Sequence, residues 1–137
     1  MATKNEYRIV TPMYIELERK TKKNRRVSIN MNSYGHSNHF TNNEVKIKFK
    51  QVVGEQLKGI TIETPVNITY QVFKPSKRRL DKMNVRAVTS KYLLDAITEL
   101  GCWEDDNDDY VKIEKLLPTE YDKGNGRVEI LIKTIDD

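Results

Sequence analysis

Between Val66 and Val72 the apolar side chains fall at every second position: Val66, Ile68, Tyr70 and Val72 alternate with Asn67, Thr69 and Gln71. A period of two puts all four on one face of a strand, and that face must be covered. Pro75 and the run Lys77-Arg78-Arg79 end the strand, and after Asp81 the period changes. Val85, Val88, Tyr92, Ala96, Ile97 and Leu100 recur at helical spacing up to Gly101, a natural C-cap. A half-apolar strand joined to a half-apolar helix buries both surfaces by packing one on the other, which predicts an α/β domain.

The rest of the chain extends that plan. Met13, Ile15 and Leu17 alternate with Tyr14, Glu16 and Glu18, as in a first strand. A basic, Asn- and Ser-rich loop is expected from about Arg19 to Phe40. Thr41-Asn42-Asn43-Glu44 has the form of a capping box opening a helix. That helix carries Val45, Phe49, Val52, Val53 and Leu57 on one stripe, and Gly59 ends it. Past an acidic turn, Glu104 to Asp109, Val111 and Ile113 mark one strand, and Val128, Ile130 and Ile132 another. Tyr121 to Gly126, between them, has the composition of a hairpin loop. The expected order is β-α-β-α-β-β: one domain over residues 1–137, of α/β (α+β) class, with a mixed sheet and two helices.

Charge is divided unevenly. Residues 1–80 hold 16 Lys and Arg, 6 Glu and no Asp, a net +10, whereas residues 81–137 net −6. The blocks Arg19, Lys20, Lys22, Lys23, Arg25, Arg26 and Lys74, Lys77, Arg78, Arg79 are footprints for a polyanion. A basic half beside an Asp-rich half suits a protein that grips nucleic acid and holds a divalent cation against it. No stretch of about 18 apolar residues is present, so a membrane-spanning helix is not expected. The segment MATKNEYRIV lacks the apolar core of a signal peptide. A single cysteine, Cys102, excludes an internal disulfide framework and a cysteine-based zinc site, and a reducing intracellular compartment fits.

The strongest chemical constellation is Asp81-Lys82-Met83-Asn84 with Asp105-Asp106. Phosphodiester hydrolysis uses Mg²⁺ or Mn²⁺, hard ions that prefer carboxylate oxygens and water. The same residues have plainer uses: Asp81 as an N-cap, the acidic run as a solvated turn.

The stretch Arg79 to Val111, RLDKMNVRAVTSKYLLDAITELGCWEDDNDDYV, resembles the RusA family of Holliday junction resolvases. The matching pieces are Asp81-Lys82-Met83-Asn84, Lys91, Leu94-Asp95-Ala96-Ile97, Gly101-Cys102-Trp103 and Asp105-Asp106, about a quarter of the chain. The resemblance implies a small dimeric α/β domain. It implies a metal-dependent endodeoxyribonuclease, phage- or prophage-encoded and cytoplasmic in the bacterial host. Such an enzyme resolves four-way DNA junctions in recombination and repair by paired hydrolysis. It also implies Asp81, Asp105, Asp106 and Asn84 as ligands of Mg²⁺ (or Mn²⁺), and Lys91 beside the carboxylates as a catalytic residue. Two departures stand out. Met83 occupies the place of the second Asp of Asp-x-Asp-Asn, and a thioether is a poor ligand for a hard cation. Lys91 follows Asp81 by ten residues, about 15 Å along a helix, so Arg86 or Lys82 is the nearer cation.

Asn32, Tyr34 and His39, in the Asn/Tyr/His-rich stretch before the first helix, are candidate DNA contacts, together with Lys77, Arg78, Arg79 and Arg86. Asn and Tyr donate to phosphate, and an aromatic ring stacks on an unpaired base. A flexible polar loop accounts for the composition equally well, and His36 with His39 lacks the partners of a zinc site. Lys91 and Asp95 have the i, i+4 spacing of a surface ion pair. Trp103 reads as a core or interface anchor and Cys102 as a small buried hydrophobe. The alternative of a different class is a phage DNA-binding protein that keeps the fold without the chemistry, which Met83 favours.

Overall fold

The computed structural model describes residues 6–104 and 109–135. The chain runs β1 (Glu6–Pro12), β2 (Tyr14–Leu17), β3 (Arg25–Ser28), α1 (Met31–His36), α2 (His39–Leu57), β4 (Val66–Lys74), α3 (Lys82–Glu99), β5 (Val111–Leu116), β6 (Glu120–Tyr121) and β7 (Arg127–Thr134). The main sheet is mixed, in the order β1-β7-β4-β5, and β6 pairs with the far end of β4. β7 is antiparallel to both β1 and β4, whereas β5 and β6 run parallel to β4. β2 and β3 form a separate antiparallel hairpin.

The strand at Val66 forms as its alternation requires. Val66, Ile68, Tyr70 and Val72 are buried and the residues between them are half-buried. Val45, Phe49, Val53 and Leu57 of α2, with Val85, Val88, Tyr92, Leu93, Ala96 and Ile97 of α3, cover that face in a single hydrophobic cluster. Each fully buried aliphatic or aromatic side chain there contributes about 1.5–3 kcal/mol over its exposed state. Phe49 and Tyr92 meet at 5.7 Å between ring centroids and join the two helices. Gly59 and Gly101 follow the two long helices with φ of +77° and +76°, the left-handed geometry that ends a helix.

Several expectations are corrected. There are three helices and seven strands among the described residues, where two helices and four strands were expected. The stretch from Arg19 to Phe40 is not one loop: it holds β3, α1 and the start of α2. Two of its four asparagines, Asn30 and Asn38, are helix caps. Asn30 Oδ1 accepts from the Ser33 amide at 2.9 Å, and Asn38 Oδ1 accepts from the Thr41 amide at 2.8 Å. α2 therefore begins at His39, ahead of the Thr41 capping box. Val52 and Leu100 lie outside the buried stripes and are exposed. Tyr121 to Gly126 is not a hairpin loop, because β7 pairs with β4 and β1 and not with the strand before the loop.

The outer edge of β1 is blunted by a side chain. Gln56 of α2 accepts from Val10 N and donates to Val10 O, both at 2.7 Å, replacing a missing neighbour strand. Trp103 and Cys102 are both buried, Trp103 donating to Thr98 Oγ1 at 2.6 Å. Burial pushes the Cys102 thiol above its ordinary pKa, as expected of a small core residue and not of a nucleophile. No helix among the described residues is long and apolar enough to cross a membrane.

Candidate functional site

Asp81 ends the connection from β4 and starts α3. It has extended backbone geometry, φ −90° and ψ 97°, and its Oδ1 accepts from the amides of Met83 at 3.1 Å and Asn84 at 3.4 Å. The capping role is thus realised, and both bonds go to the same oxygen. The carboxylate lies in a cleft of about 780 Å³. The hairpin supplies one wall, Met13, Tyr14, Arg26 and Ser28. Asn30 and Asn32 continue it into α1. The other side is the β4–α3 connection, Lys74 to Ser76 and Arg78 to Leu80, with Asn84 and Val85 of α3. Gly124, Asn125 and Gly126 close one end.

Four of the lining side chains are cationic, Arg26, Lys74, Arg78 and Arg79, and only Asp81 is anionic. The N-terminus of α3 adds a positive dipole end, which also favours an anion. A polyanionic backbone suits such a cleft. The cation over the Tyr14 ring is part of it: the Arg26 guanidinium carbon lies 3.3 Å from the ring centroid.

The sequence-predicted residues divide among three places. Asp81, Asn84, Asn32, Arg78 and Arg79 share the cleft, whereas Lys77 is exposed and outside its lining. Tyr34, His39 and Lys91 come together elsewhere, in a second, smaller cleft of about 250 Å³ with Asn42, Asn43 and Lys46. Tyr34 there packs edge-on against Tyr92, ring centroids 6.3 Å apart. Burial and the neighbouring Tyr34 push the Tyr92 hydroxyl up to about 12. Arg86 and Lys82 turn towards β5: Arg86 lies 3.8 Å from Glu114, and Lys82 Nζ donates to Leu117 O at 3.2 Å. Beside them Ser90 Oγ and Tyr70 OH donate to the same Glu114 oxygen, at 2.9 and 2.7 Å. Burial, then the Glu114 charge, holds the Tyr70 phenol far above its ordinary pKa.

Asp95 pairs with Lys46 of α2 at 3.1 Å, a bond between the helices, and not with Lys91. Lys46 also reaches Glu99 at 3.1 Å, and Lys50 reaches Glu99 at 2.9 Å. Hydrogen bonds from Lys50 and Lys46 hold Glu99 below the usual carboxylate range. Met83 is 62% exposed and outside the cleft lining, so it faces neither core nor Asp81's cavity.

Asp105 and Asp106 lie outside the described residues. Their described flanks are at the far end of α3: Cys102 O accepts from Ile62 N, and Tyr110 O accepts from Val66 N, each at 2.6 Å, at the start of β4. Asp81 follows the other end of β4, and the 18 residues of α3 separate the two ends by about 27 Å. Among the described residues no three His, Cys, Asp or Glu side chains cluster as a metal site. Asp81 and Asn84 offer hard oxygen donors of the right kind for Mg²⁺, but only part of a coordination shell, in a strongly cationic setting.

No protein-family model matches the chain, and no curated protein matches it. Arg26 and Lys74 belong to the basic blocks of the sequence, but nothing there joined them to Asp81, and no sequence signal marked the 124–126 turn as part of the cleft. Arg26 and the 124–126 turn are distant from Asp81 in the chain, and only packing against the β4–α3 connection joins them to it.

Proposed function

We propose that the chain is a RusA-like, metal-dependent endodeoxyribonuclease acting as a homodimer on branched DNA, with four-way junctions as its substrate. The observation that carries this function is the placing of Asp81: one carboxylate at a helix N-terminus, inside a cleft whose other charged residues are Arg26, Lys74, Arg78 and Arg79. The cations take the phosphates on either side of the scissile bond, and the Asn30 and Asn32 segment orients them. Mg²⁺ would be held by Asp81, with Asn84 beside it and carboxylates from Asp105 and Asp106. Bound there, it would neutralise charge on the phosphate and acidify a water.

The separation of about 27 Å along α3 bears on assembly. Asp81 stands at the head of α3, and Cys102 and Tyr110, the described flanks of the acidic segment, stand by its tail. A two-fold dimer that set the head of one α3 against the tail of its partner's would make two equivalent sites. Two matched sites are what two matched nicks require.

A second function is favoured by a specific observation. Met83 stands exposed where the family pattern has a carboxylate, and cations outnumber carboxylates in the cleft four to one. Both features suit a DNA-binding protein without hydrolytic activity. A nicking assay on a synthetic four-way junction, with Mg²⁺ and with EDTA, separates the two. Paired, Mg²⁺-dependent nicks near the branch are expected. Tight junction binding with no cleavage in Mg²⁺ or Mn²⁺ would refute the nuclease and leave the binding protein.

A further inference from the structure

The hairpin that forms one wall of the cleft carries a charge the cleft does not use. Its strands pair Tyr14 with Ser28, Ile15 with Val27, Glu16 with Arg26 and Leu17 with Arg25. Ile15, Leu17 and Val27 are buried and fix one face to the body of the protein. On the outer face, Tyr14, Arg26 and Ser28 line the cleft. The connecting loop, residues 18–24, is exposed throughout.

From Arg19 to Arg26 the chain holds six cations, Arg19, Lys20, Lys22, Lys23, Arg25 and Arg26, and no acid. With Glu16 and Glu18 counted, the hairpin nets +4, as much as the whole chain. Elsewhere, among the described residues, four cations enter ion pairs: Lys46 with Asp95 and Glu99, Lys50 with Glu99, Arg86 with Glu114, and Arg127 with Asp122 and Glu129. Among the described residues no ion pair includes any of the six hairpin cations. Even Arg26, directly opposite Glu16, turns instead onto the Tyr14 ring at the cleft wall. Unpaired like charges on a short, anchored ribbon repel one another, so the free protein gains nothing from this concentration. A phosphate backbone relieves it.

We propose that the β2–β3 hairpin is a clamp on duplex DNA: its tip grips the sugar–phosphate backbone of the duplex arm that leaves the cleft. The assignment deepens the nuclease function and rests on it for the choice of DNA. The ribbon is fixed by its Ile15, Leu17 and Val27 face, so it cannot enter a groove with both faces free. Its tip is mainly lysine, a point charge suited to phosphate, and Asn24 there already accepts from Arg19 N at 3.4 Å. The contact is therefore with backbone and independent of base sequence. Arg26 on Tyr14 makes the grip continuous with the cleft, so an arm held by the tip is aligned with the phosphate near Asp81.

The test is the variant Arg19→Gln/Lys20→Gln/Lys22→Gln/Lys23→Gln in the full chain. All four positions are exposed, and circular dichroism checks that the fold is kept. Binding to a 30-base-pair duplex and to a four-way junction is measured from 50 to 200 mM KCl. If four phosphates are lost, the slope of log K against log[salt] becomes shallower by about 3.6, at −0.9 per phosphate. The affinity gap between variant and parent then narrows by about 150-fold across that fourfold salt range. A control variant, Lys112→Gln/Lys115→Gln on β5, leaves the slope within one phosphate of the parent.

A parent-like slope in the quadruple variant would overturn the clamp while leaving the nuclease function intact. Absence of cleavage by the parent, with the slope change present, would remove the nuclease and keep the clamp. A parent that binds no duplex removes both. A salt-sensitive dimer that the quadruple variant weakens, with duplex binding unchanged, would assign the hairpin to an acidic segment of a second copy and overturn the clamp. Parent retention on phosphatidylserine vesicles exceeding that on duplex would do the same.

Discussion

Asp81 has two roles in the proposed site, and substitutions separate them. As an N-cap it accepts from two amides of α3, while as a carboxylate it is the only anion lining the cleft. Asp81→Asn keeps a side-chain oxygen at the capping position, and Asn caps as well as Asp, so stability should stay within a few tenths of a kcal/mol. Asp81→Ala deletes the cap and costs about 1 kcal/mol, which lowers Tm by about 3–4 °C in a chain of this size. Both substitutions remove the charge, so both should abolish Mg²⁺-dependent nicking. DNA binding should move the other way. A carboxylate about 6 Å from a phosphate in water-like screening costs about 0.7 kcal/mol, so either variant should bind a junction about threefold more tightly at low salt. Thermal melts, gel-shift titrations and nicking in 10 mM Mg²⁺, run on one preparation of each variant, give all three quantities. Cleavage by Asp81→Asn at the parent rate would refute the chemical role and leave Asp81 as a cap alone. Equal destabilisation by Asn and Ala would refute the capping geometry.

Three further outcomes are expected. Phe40 is 69% exposed whereas Tyr34 is packed on Tyr92, so Phe40→Ala should lower junction-over-duplex preference, by about tenfold if one stacked base is lost, and Tyr34→Ala should mainly lower stability; gel shifts on both substrates at one salt concentration decide it. Tyr92 is held neutral in the fold up to about 12, against an ordinary 10. Its contribution is therefore complete below pH 10 and lost as pH rises towards 12, and Tyr92→Phe should flatten that loss in urea midpoints at pH 9 and 11, in part because Tyr70 shifts the same way. Gly126→Ala would place a Cβ 2.9 Å from the Pro75 ring and 3.0 Å from Met13 Sδ, so it should cost about 1–3 kcal/mol in a chemical melt; a neutral result would show that the 124–126 turn gives way freely.

The parts of the fold legible in the sequence are those where one face is buried over several periods. β4, α2 and α3 announce themselves because burial on one side imposes a period of 2 or 3.6 on the residue types. β1, β3, α1 and β6 were not legible, for physical reasons. α1 has no buried residue, so no stripe marks it, and its signal is a capping Asn in a stretch whose composition also suits a loop. β1 is an edge strand that buries only Ile9 and Thr11, too few to set a pattern. β6 is two residues long. Of the candidate site, Asp81 and the Arg78-Arg79 run were legible because they adjoin in sequence and stay adjoined in space. The company they keep was not. Lys91, on the same helix, falls in a different cleft from Asp81, while Arg26, 55 positions earlier, falls in the same one.

That exchange of neighbours follows from the direction of α3. A helix that leaves the sheet at the end of β4 and returns to its start carries everything after its first two turns away from the cleft. Lys91 is already about 15 Å along, and the flanks of the acidic segment are farther still. Asp81 and Lys91, which read as one motif in sequence, thus fall in different places along a rigid rod. The head is supplied with cations by a hairpin and a turn from other parts of the chain. The proposed dimer is argued from the same direction: a second α3 lying antiparallel to the first would set a head beside a tail, and two-fold symmetry would make two such places at once.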